Sequence, residues 1–454
     1  MAKKGKKAAK TLRKYLSPTQ TIALVFALII MLGAALLMLP VASRSGTSVG
    51  ALTALFTATS ATCVTGLTAG DTWTLFSGFG QTVILCLIEV GGLGFMSAAC
   101  LVIFLFRRKI GLRQRMLMAQ ALSVNEMEGV VRLQKWVILG SLSIQFTGVL
   151  ILFFRFLPDY GWETAAKWGV FHAVSAFCNA GFDILGSVAP GQSMIYFNND
   201  PIVLITLMGL VLLGGLGFFV WEEVATSPKR WSVYTKLVLL STLVLLLGGA
   251  ALTLLLEWNN PNTLGNMPVG QKILNGFFQS VTLRTAGFSS IDQAGLTEAG
   301  KAVSIVFMLI GGCSGSTAGG LKVITVLVLV LFVLSRARGR SRTCVFRRNI
   351  PGEKVMDALT IVSIVVGLAL IGALVICTTS AVSFTDALYE TASALGTVGL
   401  TAGVTPQLSL VAQLMIILFM YFGRVGVLTL SLGFLLGDRA EERFQYADTN
   451  LLIG

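Results

Sequence analysis

Long apolar stretches alternate with short amphiphilic ones along the whole chain. Apolar runs at about 20–40, 79–106, 136–157, 201–221, 235–257, 301–334, 358–381 and 407–436 are each long enough to cross ~30 Å of hydrocarbon as a helix. Between the members of each successive pair lies a run of roughly 12–15 residues, at 49–63, 164–178, 270–284 and 385–396, too short to cross and too apolar for an ordinary loop. Phe56 with Ser60 and Phe171 with Ser175 show helical spacing inside these runs. The pattern predicts an all-α polytopic membrane protein in which a span, a half-length helix and a second span recur four times.

Each short run ends in a polar sentence closed by glycine. The four read Thr62-Cys63-Val64-Thr65-Gly66, Phe177-Cys178-Asn179-Ala180-Gly181, Leu283-Arg284-Thr285-Ala286-Gly287 and Leu395-Gly396-Thr397-Val398-Gly399, each followed by Leu or Phe. The glycines are 115, 106 and 112 residues apart, and the tenth residue before each is aromatic: Phe56, Phe171, Phe277 and Tyr389. Self-similarity at so regular a period implies four like units around one axis. Their expected bounds are 19–115, 116–232, 233–348 and 349–454, after a basic tail at 1–18.

A half-length helix that stops inside a membrane leaves its last carbonyls unpaired, with the negative end of its dipole toward whatever lies on the axis. Such an end is tolerated only against protein or water. Four of them converging make a negative focus suited to a dehydrated cation. The chain must then turn back, and glycine permits the positive φ and close backbone approach this requires. The carbonyls of Val64-Thr65-Gly66, Asn179-Ala180-Gly181, Thr285-Ala286-Gly287 and Thr397-Val398-Gly399 are the candidate ion ligands, and Thr397-Val398-Gly399 is also how potassium-channel filters begin. The competing reading is small-residue packing between helices.

The last span of each unit carries its own cluster: Gly91-Gly92-Leu93-Gly94, Gly214-Gly215-Leu216-Gly217, Gly311-Gly312-Cys313-Ser314 and Gly423-Arg424-Val425-Gly426. In the first, second and fourth, glycines at this depth let helices cross closely or bend. The third runs on as Gly315-Ser316-Thr317-Ala318-Gly319-Gly320, too glycine-rich for a helix to persist at a cost of ~1 kcal/mol per glycine. This loop is read as a gate below the carbonyl ring, the alternative being a permanently packed kink. Arg424, a basic residue in the middle of the eighth run, is read as a pore barrier repelling cations, with a structural pair to Glu89 as the other role.

Charge fixes orientation. The chain is 55% apolar and only 12% charged, yet carries a net +13. The excess clusters in Lys3 to Lys14, after the second run (Arg107 to Arg115), after the fourth (Lys229, Arg230, Lys236), after the sixth (Arg336 to Arg348) and after the eighth (Arg439, Arg443). All fall on one face if the chain crosses eight times, which places both termini in the cytoplasm of a plasma-membrane protein. Because each cluster abuts a span, a cytoplasmic partner or, equally, anionic lipid headgroups are the expected contacts, and not nucleic acid. Seven cysteines show no metal-site spacing; Cys63 and Cys178 read as small buried thiols in preference to a disulfide. His172 is expected to satisfy a local hydrogen bond. Arg284 and Asp183 break the fourfold pattern, with bracing of the hairpins from behind and marking of the entrance as their two open roles; for Lys322 the open roles are contact with negative charge on a cytoplasmic partner and simple snorkelling. No phosphate loop, metal cluster or activated nucleophile marks an enzyme. A secondary transporter with inverted halves is disfavoured, since two spans per unit give all four units one orientation.

With these motifs in place, the chain from about Thr19 onward resembles the Ktr/Trk/HKT superfamily of potassium transporters, and within it the KtrB-type membrane subunits. The resemblance implies eight transmembrane helices and four re-entrant pore helices in pseudo-fourfold arrangement around one pore, with Gly66, Gly181, Gly287 and Gly399 as filter glycines. Relatives with serine at the first of these favour sodium; glycine at all four implies K+ as the transported ion, with Na+ as a second candidate. It implies an arginine at the place of Arg424, a homodimer, and a cytoplasmic ring of KtrA-like RCK subunits that bind ATP or ADP, since this chain holds no soluble nucleotide domain.

Overall fold

The structure is a computed structural model, described for residues 18–94, 97, 100, 115–116, 129–226 and 230–426. The basic tail before Pro18, most of 95–106, the basic cluster 107–113, Lys229, and everything from 427 on, including Arg439 and Arg443, lie outside the described residues.

Helices dominate, in the order α1 (Pro18–Leu37), α2 (Ala51–Cys63), α3 (Gly78–Gly92), α4 (Val130–Phe177), α5 (Pro201–Gly215), α6 (Phe218–Thr226), α7 (Val233–Glu257), α8 (Val269–Thr282), α9 (Glu298–Leu309), α10 (Val323–Ala337), α11 (Gly352–Thr379), α12 (Phe384–Gly396) and α13 (Leu410–Val425). A two-stranded antiparallel hairpin, Cys344–Val345 with Arg348–Asn349, lies between α10 and α11. Side-chain caps start many of the helices: Asp200 accepts the Ile202 and Val203 N–H groups of α5, and Ser77, Ser232, Thr297, Ser383 and Ser409 serve α3, α7, α9, α12 and α13. In α4 the expected span and half-helix meet at one residue, Gly161, whose φ of 74° and ψ of 170° fold the chain back.

Among the described residues α1, α4, α7 and α11 are each long and apolar enough to cross a bilayer, as are α5 and α6 taken together across a 94° bend. Their outer faces are apolar, with Leu28, Leu32, Val244 and Leu247 all exposed. The short helices are buried instead; in α2 every residue from Phe56 to Cys63 is. Packing closes a ring: α2 lies against α13, α4 against α3, α8 against α5 and α12 against α9.

The sequence lets helices cross closely or bend at the first, second and fourth glycine clusters, and in the structure the helix breaks at each. α3 ends at Gly92, α5 at Gly215 and α13 at Val425, each just before a glycine of positive φ: Gly94 (80°), Gly217 (94°) and Gly426 (95°). An L-residue resists that conformation by ~1–2 kcal/mol, so glycine makes the break cheap. The first glycine of each cluster serves contact. A Cβ on Gly91 would fall on the Thr62 carbonyl, on Gly214 the Phe177 carbonyl, and on Gly423 the Leu395 carbonyl, each four residues before a hairpin glycine. In the third cluster, as expected, helix is abandoned for longer: α9 stops at Leu309 and α10 begins at Val323.

Candidate functional site

Four backbone hairpins meet at the end of the short helices. Two residues before each glycine stands a left-handed non-glycine residue, Val64 (φ 58°), Asn179 (60°), Thr285 (64°) or Thr397 (50°), and the glycines themselves have φ of 98°, 67°, 84° and 94°. Four strained residues at equivalent positions cost about 1–2 kcal/mol each, a concentration of strain found where backbone geometry is functional.

The turns send amide hydrogens back into the short helices. Thr65 N–H donates to the Ser60 carbonyl (2.8 Å), Ala180 to Ser175 (2.8 Å), Ala286 to Thr282 (3.0 Å) and Val398 to Ser393 (2.8 Å). Hydroxyls one turn back finish the job. Ser60 Oγ accepts Gly66 N–H and Ser393 Oγ accepts Gly399 N–H, while Ser175 and Thr282 donate to the carbonyls of Phe182 and Phe288. Carbonyls consequently point the other way. Among the described residues none of the carbonyl oxygens of the four tripeptides accepts a hydrogen bond from the chain.

The middle carbonyl of each tripeptide lies against the glycine of a neighbouring one. A Cβ built on Gly66 would lie 2.5 Å from the Ala180 oxygen, on Gly181 2.8 Å from that of Ala286, on Gly287 2.6 Å from that of Val398, and on Gly399 against that of Thr65. Each hairpin touches the next in chain order and the fourth touches the first. No side chain walls one from another. The ring opens outward into a cavity of about 320 Å³ lined in part by Asp71, Asp183 and Asp292. Asp183 is half-buried and accepts Leu185 N–H at 3.2 Å; burial, with Asp71 nearby, pushes its carboxyl up to about 6. It marks the mouth.

Beneath the ring the polarity reverses. Loop 310–322 donates backbone N–H groups to the broken helix ends: Cys313 to Gly215 (3.1 Å), Thr317 to Gly214 (3.2 Å) and Gly320 to Gly423 (3.3 Å), while Phe218 N–H of α6 donates to Gly315 (2.8 Å). Thr317 Oγ1 donates to the Phe177 carbonyl and meets Asn179 Oδ1 at 3.2 Å, joining loop to hairpin. Arg424 donates to the carbonyls of Thr317, Gly91 and Gly92, the last at 2.9 Å. Its pairing with Glu89 is not formed; Glu89 is held by Gln145 Nε2 (3.0 Å) and the Cys178 thiol (3.3 Å). A helix end broken in a membrane needs donors, and a planar guanidinium supplies several at fixed angles, so it goes to the carbonyls.

The remaining candidates are placed too. Cys63 and Cys178 are free buried thiols. His172 Nδ1 lies 2.8 Å from the Trp168 carbonyl and Nε2 accepts Ile184 N–H. Arg284 is buried under the third hairpin, its Nη2 3.4 Å from Thr242 Oγ1. Lys322 bends back into the loop to the Ala318 carbonyl (2.8 Å). Sequence reasoning missed the role of the serine six residues before the glycine in three hairpins, although Ser60, Ser175 and Ser393 repeat visibly; it offered Asp183 as an entrance residue but not Asp71 or Asp292 beside it.

Residues 3–442 match the family model described as TrkH, cation transport protein. The chain belongs to that family. It is a multi-pass membrane cation transporter and not an enzyme. Among curated proteins it is similar to the potassium/sodium uptake protein NtpJ of Enterococcus hirae (40% identical, 98% of this chain and 99% of that one) and to the Ktr system potassium uptake protein B of Bacillus subtilis (40%, 96% and 97%). The crystal structure of the potassium transporter TrkH from Vibrio parahaemolyticus shares the fold at a TM-score of 0.72 and 18% identity, covering 93% of this chain and 86% of that one.

Proposed function

We propose that this chain takes up K+ across the cell membrane through a single pore of four span–half-helix–span repeats, eight crossings in all, with both termini cytoplasmic. The filter is the ring at Gly66, Gly181, Gly287 and Gly399, in which backbone oxygens stand in for water around a dehydrated ion; an unsolvated ion in an apolar medium costs tens of kcal/mol. The carrying observation is that ring of neighbouring carbonyls with no donor from the chain, an arrangement that small-residue packing does not require. Loop 311–320 with Arg424 is the gate, since it lies on the inner side and joins ends from several helices. The relatives named for potassium uptake support the ion, and the one named for potassium and sodium keeps Na+ as a second candidate. The name of the Ktr system supports a partner, which we take to be a KtrA-like RCK ring binding ATP or ADP beneath a homodimer.

The deciding experiment is reversal potential or uptake in K+ against Na+ for the unaltered chain and for Gly66→Ser. The serine Cβ would press on the Ala180 oxygen from a φ of 98°, so K+ preference should fall at least tenfold. Equal selectivity in both proteins would remove the filter assignment.

A further inference from the structure

Two buried glutamates among the described residues have no basic partner and are held by hydroxyls and amides. Glu257, at the outer end of α7, accepts from Asn260, Thr263 and Thr297. Glu390 is different in place. It lies in α12 nine residues before Gly399, fully buried, and its carboxylate accepts the hydroxyls of Thr401 (Oε2, 2.8 Å) and Thr405 (Oε1). Thr401 is the second residue after Gly399, on the limb that leaves the hairpin, and its own oxygen accepts Val404 N–H at 3.2 Å. One side chain thus ties the helix that enters the fourth hairpin to the strand that leaves it.

The same position in the second hairpin is His172, whose Nε2 accepts from Ile184, three residues past Gly181. Thr57 and Phe278 occupy it in the first and third, and among the described residues neither of these side chains is bonded to the exit limb. The tie is therefore built into opposite members of the ring, and in the fourth it carries a carboxylate that accepts two hydroxyls. Burying that group away from water costs several kcal/mol unless it is fully hydrogen-bonded, so the geometry of Thr401 and Thr405 is imposed rather than incidental.

We propose that Glu390 is a specificity-determining positioning residue: through Thr401 and Thr405 it sets the position of the Val398 and Gly399 carbonyls and so the discrimination between K+ and Na+. The inference rests on the filter reading. Ions of different radius are told apart only if the oxygens cannot follow the smaller one, and a tether behind the ring supplies that resistance.

The test is the K+/Na+ permeability ratio of the purified full-length protein in liposomes for Glu390→Ala, Glu390→Gln and Thr401→Val, with Glu257→Gln as the comparison. Alanine should lower the ratio about tenfold and Thr401→Val severalfold, while Glu390→Gln, which keeps an acceptor for Thr401, should recover most of it; Glu257→Gln should leave the ratio unchanged. If alanine yields no folded protein, glutamine and Thr401→Val carry the test, read against circular dichroism and gel filtration. An unchanged ratio in folded Glu390→Ala, or in both of the other two, overturns the proposal. So does an equal fall in Glu257→Gln, which would mark a general loss of rigidity. Should Gly66→Ser alter selectivity while these variants do not, the filter stands and the tether falls.

Discussion

Two sets of backbone carbonyls that the fold brings close together are treated in opposite ways. In the hairpins, N–H groups fold back into the short helices and the oxygens of Thr65, Ala180, Ala286 and Val398 meet with no donor from the chain. Below them, the oxygens at the broken ends of α3, α5 and α13 are each given one: Arg424 for Gly91 and Gly92, Cys313 and Thr317 for Gly215 and Gly214, Gly320 for Gly423. The outer set faces an acidic mouth, and the inner set is closed by Arg424 with Lys322 and Arg284 nearby. Oxygens left without donors favour a bare cation, and oxygens already bonded do not. On the proposed reading, the same backbone group serves as an ion site where donors are withheld and as a seal where they are supplied.

The comparison breaks most visibly if a methyl group is placed in each region. Gly399→Ala adds a Cβ against the Thr65 oxygen at a φ of 94°; K+ uptake should fall at least a hundredfold while membrane abundance holds. Gly94→Ala meets nothing within 4 Å, so it should cost only the ~1–2 kcal/mol of backbone strain, read as a lowered unfolding temperature with selectivity intact. Uptake lost equally in both would mean that general fragility, not carbonyl geometry, governs the hairpins.

Deleting 312–319 removes the Cys313 and Thr317 donors that close the α5 end of the inner set. Passive K+ flux through reconstituted protein should rise more than tenfold, with the K+/Na+ ratio retained because the outer set is untouched. Flux at the unaltered level would leave the loop a packed kink.

How much of this was legible differs between the two regions for a physical reason. Hairpins declare themselves because a positive φ next to a neighbouring backbone demands glycine, and the aromatic ten residues upstream repeats with it. The loop at 311–320 declares itself through five glycines in one apolar run. The breaks at Gly94, Gly217 and Gly426 did not, since Gly-Gly-Leu-Gly in the first two and Gly-Arg-Val-Gly in the fourth read equally well as close helix packing. Arg424 was legible as important but its partners were not: backbone carbonyls have no letter in a sequence, and the nearest carboxylate, Glu89, drew the pairing instead. The Glu390 tie was hidden for a related cause, because it exists only once the chain has doubled back.

Arg424 separates charge from shape. As a barrier it needs only its positive charge, whereas as a clamp it needs a planar fork reaching three carbonyls on two elements. Arg424→Ala should raise resting flux about fivefold to tenfold, since each lost buried bond to a charged donor is worth ~1.5–3 kcal/mol but the loop retains its backbone donors. The informative variant is Arg424→Lys. If it behaves like alanine, the clamp holds the seal; if it behaves like the unaltered chain, charge suffices and the inner carbonyls do not depend on the guanidinium.

The smallest effect concerns the mouth. A carboxyl pushed up to about 6, as that of Asp183 is by burial, is charged at pH 7.5 and loses its charge as the outer pH falls through that value. The sign follows directly: the anion draws cations toward the carbonyls above about pH 6, and the neutral acid below it does not. Lowering the external pH from 7.5 to 5.5 should therefore raise the apparent KM for K+ about twofold to threefold with little change in maximal rate, because a mouth charge concentrates ions without altering the ring. In Asp183→Asn the KM should already be raised at pH 7.5 and should respond less to acid. A full response in that variant would take Asp183 out of the mouth and leave the outer carbonyls to attract the ion without it.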